Sequence, residues 1–183
     1  DTIYLPDSLE EIGEYAFANV TRYYSKPEDK GWMIGNNVKV IGDYAFYNCV
    51  NLQTVSTPKA KSFGDYAFSY CGMLTKANLG KATLGKYCLY NNDNLVSATA
   101  GSLKQYAIYS ADNLKSLNIK NANRIESYAL YNLPKITSIN TNATAIDSYA
   151  FYGINNIKSA TLPKLKKVSD NLFRDCTNIQ TVK

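Results

Sequence analysis

Histidine is absent from this chain of 183 residues. That removes the usual general base at neutral pH and a common metal ligand, and with them Ser-His and Cys-His nucleophile pairs and most zinc sites. No apolar run reaches the roughly 18 residues that a membrane helix needs, and no charged segment leading into an apolar stretch marks an export signal. Neither a G-x-x-x-x-G-K-[ST] phosphate loop nor a G-x-S-x-G nucleophile turn occurs. The 4 Cys include no Cys-x-x-Cys pair, so thiolate coordination of a metal has no support. The net charge is +5, and the 20 Lys and Arg are scattered along the chain rather than gathered in the dense stripe that phosphate backbones require. Nucleic acid is therefore not an expected partner. The carboxylates, such as Glu14, Asp43 and Asp65, stand where short helices are expected to start, and no pair of them recurs with partners suited to acid-base work. No catalytic activity, cofactor or metal is expected.

What the chain does have is apolar mass: 45% hydrophobic residues and 16 Tyr, well above the range of disordered segments. It also repeats. Ile-Gly-Glu-Tyr-Ala-Phe, ending at Phe17, returns as Ile-Gly-Asp-Tyr-Ala-Phe ending at Phe46 and Phe-Gly-Asp-Tyr-Ala-Phe ending at Phe68. Weaker copies end at Leu89, Ile108, Leu130, Phe151 and Phe173. The anchors are Tyr15, Tyr44, Tyr66, Tyr87, Tyr106, Tyr128, Tyr149 and Asn171, at intervals of 29, 22, 21, 19, 22, 21 and 22. A period near 21 lies within the range of leucine-rich repeats, roughly 20–29, and below that of helical-pair repeats.

Alignment of the copies shows what each repeat keeps apolar. Three residues before the anchor stand Ile12, Ile41, Phe63, Leu84, Leu103, Ile125, Ile146 and Val168. Later in each repeat come Leu52, Leu74, Leu95, Leu114, Ile136, Ile157 and Ile179, then Val55, Ala77, Ala98, Leu117, Ile139, Ala160 and Val182. A looser row of Leu79, Ala100, Ile119 and Leu162 is interrupted by Thr57 and Thr141. The i, i+3, i+4, i+8 spacing of Ile12, Tyr15, Ala16 and Val20 predicts a short helix, and the alternation that follows predicts a short strand. Gly13, Gly42, Gly64 and Gly85 fit a tight start or cap for that helix. The expected fold is one α/β leucine-rich-repeat solenoid over residues 1–183. It is a right-handed superhelix of about eight repeats, with short parallel strands on a concave face and short helices or turns on the convex face.

The run Ile-Gly-Asp-Tyr-Ala-Phe-Tyr-Asn-Cys-Val-Asn-Leu-Gln-Thr-Val, residues 41–55, resembles the BspA-like leucine-rich repeat of bacterial surface proteins, and the resemblance extends over nearly the whole chain. It implies a secreted or surface-anchored protein, usually part of a larger multidomain chain, with a role in adhesion to host proteins or other bacteria. The ligand does not transfer with the fold.

Cys49, Cys71 and Cys176 share one repeat position, and Cys88 replaces the small Ala of Tyr-Ala-Phe. Buried free thiols are expected over a bridge. The anchor tyrosines and a second row, Tyr47, Tyr90, Tyr109, Tyr131 and Tyr152, read either as like-on-like stacking or as an aromatic ladder that binds a partner or a sugar. Asn51, Asn94, Asn113, Asn156 and Asn178 read as turn-stabilising amides.

The leading binding candidates are the strand residues expected to face solvent. Thr54, Lys76, Ser97, Ser116, Ser138 and Ser159 form one row; Ser56, Asn78, Thr99, Asn118, Asn140 and Thr161 form the other. Small hydroxyls and amides suit an extended peptide or a glycan, although strand positions open to solvent favour Ser and Thr even with no ligand. The long 29-residue interval places an insertion within residues 18–31, and Arg22, Tyr23, Tyr24 and Trp32 make it a second candidate, a rim loop. The expected partner is a protein or glycan on a host or neighbouring cell, met outside the cell by a binding module; a passive spacer or a glycan-binding accessory module are the alternatives. Neither end carries a polar cap, so the piece is expected to derive from a longer array and to be able to associate end to end.

Overall fold

A computed structural model describes residues 3–21 and 32–183. The chain winds as a parallel β-solenoid, and every strand pair joins one coil to the next. One side carries strands of two or three residues. Thr54–Ser56, Lys76–Asn78, Ser97–Thr99 and Ser116–Asn118 form a four-stranded sheet; Ser138–Asn140, Ser159–Thr161 and Thr181–Val182 form a three-stranded one. Ile3–Tyr4 and Trp32–Met33 pair as a two-stranded sheet ahead of Thr54–Ser56, so the side is three sheets, with a further break between Asn118 and Ser138. A second side carries two-residue strands, from Glu11–Ile12 through Val40–Ile41 and Ser62–Phe63 to Thr83–Leu84. Single bridges from Leu84 to Leu103 and on to Ile125 extend it to Arg124–Ile125 and Ala145–Ile146.

The expected helices are not there: among the described residues no helix forms, and the Tyr-Ala-Phe segments are chains of tight turns, two of which run into the paired two-residue strands Ile108–Tyr109 and Leu130–Tyr131. In the first coil the N–H groups of Tyr15, Phe17 and Asn19 donate to Asp43, Ala45 and Tyr47 of the next coil, while those of Ala16, Ala18 and Val20 donate three residues back. Half of the donors that a helix would use within itself therefore bind the neighbouring coil instead. The backbone permits this because all eight anchors lie in the left-handed region, from Tyr15 at φ 53° to Asn171 at φ 56°. Four residues later the same region holds Asn19, Asn48, Tyr70, Asn91, Ser110, Asn132, Gly153 and Asp175. Two left-handed residues in each segment cannot continue a right-handed helix. The fold is accordingly a β-solenoid and not the α/β solenoid expected from the spacing.

The apolar rows do form the core. Ile12, Ile41, Phe63, Leu84, Leu103, Ile125 and Ile146 are buried, as are Leu52, Leu74, Leu95, Leu114, Ile136 and Ile157. Thr57 and Thr141 are buried with their row, and the Thr141 hydroxyl donates to the Ile119 carbonyl at 3.0 Å. Phe17, Phe46 and Phe68 stack at 5.2 Å spacing. In the last described coil Val168 and Val182 are 60% and 49% exposed.

Gly42, Gly64 and Gly85 serve close packing rather than capping, whereas Gly13 has no such neighbour. A Cβ on Gly64 would lie 2.3 Å from the Asp43 nitrogen, and one on Gly85 would lie 2.4 Å from Gly64 backbone atoms, so coils approach there closer than any side chain allows.

Candidate functional site

The twelve strand residues named as binding candidates all point outward, each exposed or half-buried, while the central residue of each strand points into the core. Register brings them into two rows. Thr54 lies beside Lys76, Lys76 beside Ser97, and Ser97 beside Ser116. Ser56, Asn78, Thr99 and Asn118 form the second row of the same sheet. In the other sheet Ser138 pairs with Ser159 and Asn140 with Thr161. The surface is a polar strip that crosses neighbouring coils about 4.8 Å apart.

Both edges of the strip carry turns. On the edge that leads into the strands, asparagine amides bind the coil before: Asn94 donates to the Gly72 carbonyl, Asn113 to Asp93, Asn156 to Pro134 and Asn178 to Asn155, all at 2.6–2.7 Å. These asparagines are structural, as the sequence suggests. Asn156 and Asn178 also line a shallow groove of about 640 Å³, together with Lys115, Lys135, Lys158 and Thr137. Lys135 donates to the Asn113 side chain. On the opposite edge a smaller groove of about 170 Å³ is lined by Lys120, Lys164, Asn123, Asn142 and Thr144, among others.

The tyrosines occupy the turn side. The seven anchors form a continuous stack from Tyr15 to Tyr149, with centroids 4.7–5.2 Å apart and planes within 13°. The second row packs beside it, and Tyr70, not in the row read from sequence, fills the place between Tyr47 and Tyr90. Because the anchors cover each other's ring faces, they offer ring edges and hydroxyls, whereas a sugar stacks on faces. Arg174 lies over the Tyr149 ring at 5.9 Å. The stack therefore favours the like-on-like reading. The hydrogen bond to Tyr90, and then loss of hydration, push the Tyr70 phenol up to about 12.

All four cysteines are buried and free. Where the shared repeat position is Cys or Asn, it has a chemical role that the sequence did not disclose: the side chain donates to a carbonyl of the coil before. Cys49 Sγ reaches Phe17 O at 3.1 Å, Cys71 Sγ reaches Phe46 O at 3.2 Å and Cys176 Sγ reaches Phe151 O at 3.0 Å. Asn92, at the same position, donates to Phe68 O at 2.9 Å. Burial pushes the Cys49 thiol up to about 12, and Cys71, Cys88 and Cys176 upward as well, which suppresses the reactive thiolate.

Of the rim-loop candidates, Arg22, Tyr23 and Tyr24 lie outside the described residues; the Trp32 backbone belongs to the strand Trp32–Met33, paired with Ile3–Tyr4, rather than to a loop. Among the described residues no group of three or more His, Cys, Asp or Glu side chains could hold a metal ion, and no helix is long and apolar enough to cross a membrane.

The model of the BspA type leucine rich repeat region matches in six copies over residues 1–99, 23–120 and 82–183. None of the curated proteins matches the chain. Solved structures share the fold. A leucine-rich repeat protein from Eubacterium ventriosum aligns with TM-score 0.71 and 20% identity, over 91% of this chain and 44% of that one. One from Bacteroides ovatus aligns with TM-score 0.63 and 21% identity, over 99% and 54%. A leucine rich cell surface protein from Faecalibacterium prausnitzii aligns with TM-score 0.54 and 16% identity, over 100% and 59%. This chain thus spans about half the length of the proteins it resembles.

Proposed function

We propose that this chain, which belongs to the BspA-type leucine-rich-repeat family, is a non-catalytic binding module that works at a bacterial cell surface and engages a protein or glycan through its strand face. The observation that carries this reading is the strip itself: twelve small polar or cationic side chains, held in register by parallel pairing, with no other segment lying over them among the described residues. A rigid array of hydroxyls and amides repeated from coil to coil matches a ligand that repeats as well, and extended solenoid surfaces bind in this way. Placement outside the cell is supported by the Faecalibacterium protein of the same fold, described as a cell surface protein. The buried thiols would be sheltered from oxidation there.

The test is a titration followed by intrinsic tyrosine and tryptophan fluorescence against mucin, fibronectin and polysaccharides. Saturable binding that is lost when Ser97→Trp and Ser116→Trp fill the middle of the strip supports the module. Absence of saturable binding to every ligand would leave a passive spacer as the better description.

A further inference from the structure

The charges are unevenly placed, a feature that appears only once the coils are stacked. The stretches 53–63, 75–86, 96–105, 115–125, 137–145 and 158–168 hold thirteen Lys and Arg and no Asp or Glu. In the fold these stretches are the two strand sides and the turn between them. The carboxylates of these coils sit elsewhere, and several are engaged: Asp43 and Asp65 accept backbone N–H groups of the next coil at 2.7 Å, and Asp147 pairs with Arg124. Around the polar strip no groove lysine has a carboxylate partner among the described residues. Among the described residues the salt bridges are Lys39 with Glu10 and Arg124 with Asp147, and neither involves a groove lysine.

The two cationic grooves also lie on the same coils. Lys115, Lys135 and Lys158 line one edge and Lys120 and Lys164 the other, with Ser116–Asn118, Ser138–Asn140 and Ser159–Thr161 between them. Three strand residues separate the edges, a width of about 10 Å. The site is thus a strip of hydroxyls and amides with an ammonium bank on each side.

We infer that this strip binds an acidic polysaccharide, its sugar hydroxyls meeting Ser116, Asn118, Ser138, Asn140, Ser159 and Thr161 and its carboxylate or sulfate groups meeting the lysine banks. This rests on the binding-module reading and gives it a ligand class. Two other polyanions fit less well. Single-stranded nucleic acid is held by stacking on aromatic faces, and the aromatic array of this protein lies on the turn side with its anchor ring faces mutually covered. An acidic peptide would want apolar pockets for its alternate side chains, and the strip presents Ser, Asn and Thr. A glycan needs hydroxyl and amide partners beside the charge, and these are present. Compact ammonium groups suit sulfate and carboxylate as point charges without demanding one geometry.

The experiment uses the whole chain and measures binding of heparin oligosaccharides, hyaluronan, neutral dextran, poly-glutamate and a single-stranded oligonucleotide at two salt concentrations. The expected result is binding of heparin or hyaluronan that weakens with salt, with dextran silent and the peptide and oligonucleotide at least tenfold weaker. The triple variant Lys115→Gln, Lys135→Gln, Lys158→Gln should lose roughly tenfold or more in affinity, and the corresponding Arg variants should retain it. These lysines are exposed, so melting temperatures should stay with the parent. Unchanged binding by the Gln variant, or equal affinity for poly-glutamate or the oligonucleotide, would overturn the inference. If no acidic glycan binds while mucin or fibronectin still binds and is blocked by the Ser97→Trp, Ser116→Trp protein, the inference falls and the binding module stands.

Discussion

Tyr66 offers the sharpest test of how this solenoid is held together, because one side chain carries both a cost and a gain. Its φ of 57° lies in the left-handed region, which costs a residue with a Cβ roughly 1–2 kcal/mol. Its ring stacks on Tyr44 and on Tyr87, each at 4.9 Å with planes within 13°. An aromatic pair contributes about 0.5–1.5 kcal/mol beyond area burial, so two pairs contribute about 1–3 kcal/mol. Tyr66→Ala keeps the backbone cost and loses both stacks together with part of the buried ring area, and should destabilise by about 2–4 kcal/mol. Tyr66→Gly loses the same stacks but relieves the left-handed cost, and should be about 1 kcal/mol more stable than the alanine variant despite its larger unfolded-state entropy. Urea unfolding followed by circular dichroism measures all three proteins, with Tyr4→Ala as a control at an exposed tyrosine outside the stack, expected within about 0.5 kcal/mol of the parent. A glycine variant less stable than the alanine variant would show that the left-handed anchor is not the solution conformation. An alanine variant equal to the parent would show that stacking adds nothing.

Two further outcomes follow from the packing. Gly85→Ala places a Cβ 2.4 Å from the backbone of Gly64 and should cost more than about 2 kcal/mol, whereas Gly13→Ala, with nothing within 4 Å, should be neutral; differential scanning calorimetry of the pair checks this. The thiols should stay unreactive to a disulfide reagent at pH 8 in the native protein, and four should appear after denaturation without reductant. The raised thiol values also set a direction for pH. The folded state favours the protonated thiol, so its stabilisation is complete below the ordinary value of 9.0 and declines as pH rises toward the Cys49 value of about 12. Unfolding midpoints that do not fall over that interval would refute burial as the cause.

Much of this fold was written in the period. Repetition of Ile12, Ile41, Phe63 and their counterparts at intervals near 21 identified both the coil length and the residues that meet inside, since apolar side chains at equivalent places in stacked coils must bury together. The outward strand rows were legible for the complementary reason: side chains alternate across a strand, so Ser97 and Thr99 must face away from a buried Ala98. The burial of the cysteines was legible as well, but their role as donors to the preceding coil was not. The sign of it was Asn92, a polar amide at the same position, whose presence in a core implies a buried acceptor.

The local conformation of the Tyr-Ala-Phe segment was decided by tertiary structure. Apolar spacing reports which side chains turn inward; it does not report whether an N–H bonds four residues back or to the next coil. A tyrosine ordinarily avoids the left-handed region, so nothing in the anchor itself announced the turn. The recurrent Asn19, Asn48, Asn91 and Asn132, joined by Gly153, was the available signal, because asparagine and glycine are the residues that adopt that region most readily. What sustains such residues is the neighbouring coil, through the cross-coil backbone bonds and the stacked rings, and an isolated segment would have neither. The charge pattern divides in the same way. Along the chain the lysines are scattered, and only the stacking of coils gathers Lys115, Lys135 and Lys158 around one groove, because positions 20 or more residues apart become neighbours at the spacing of adjacent strands.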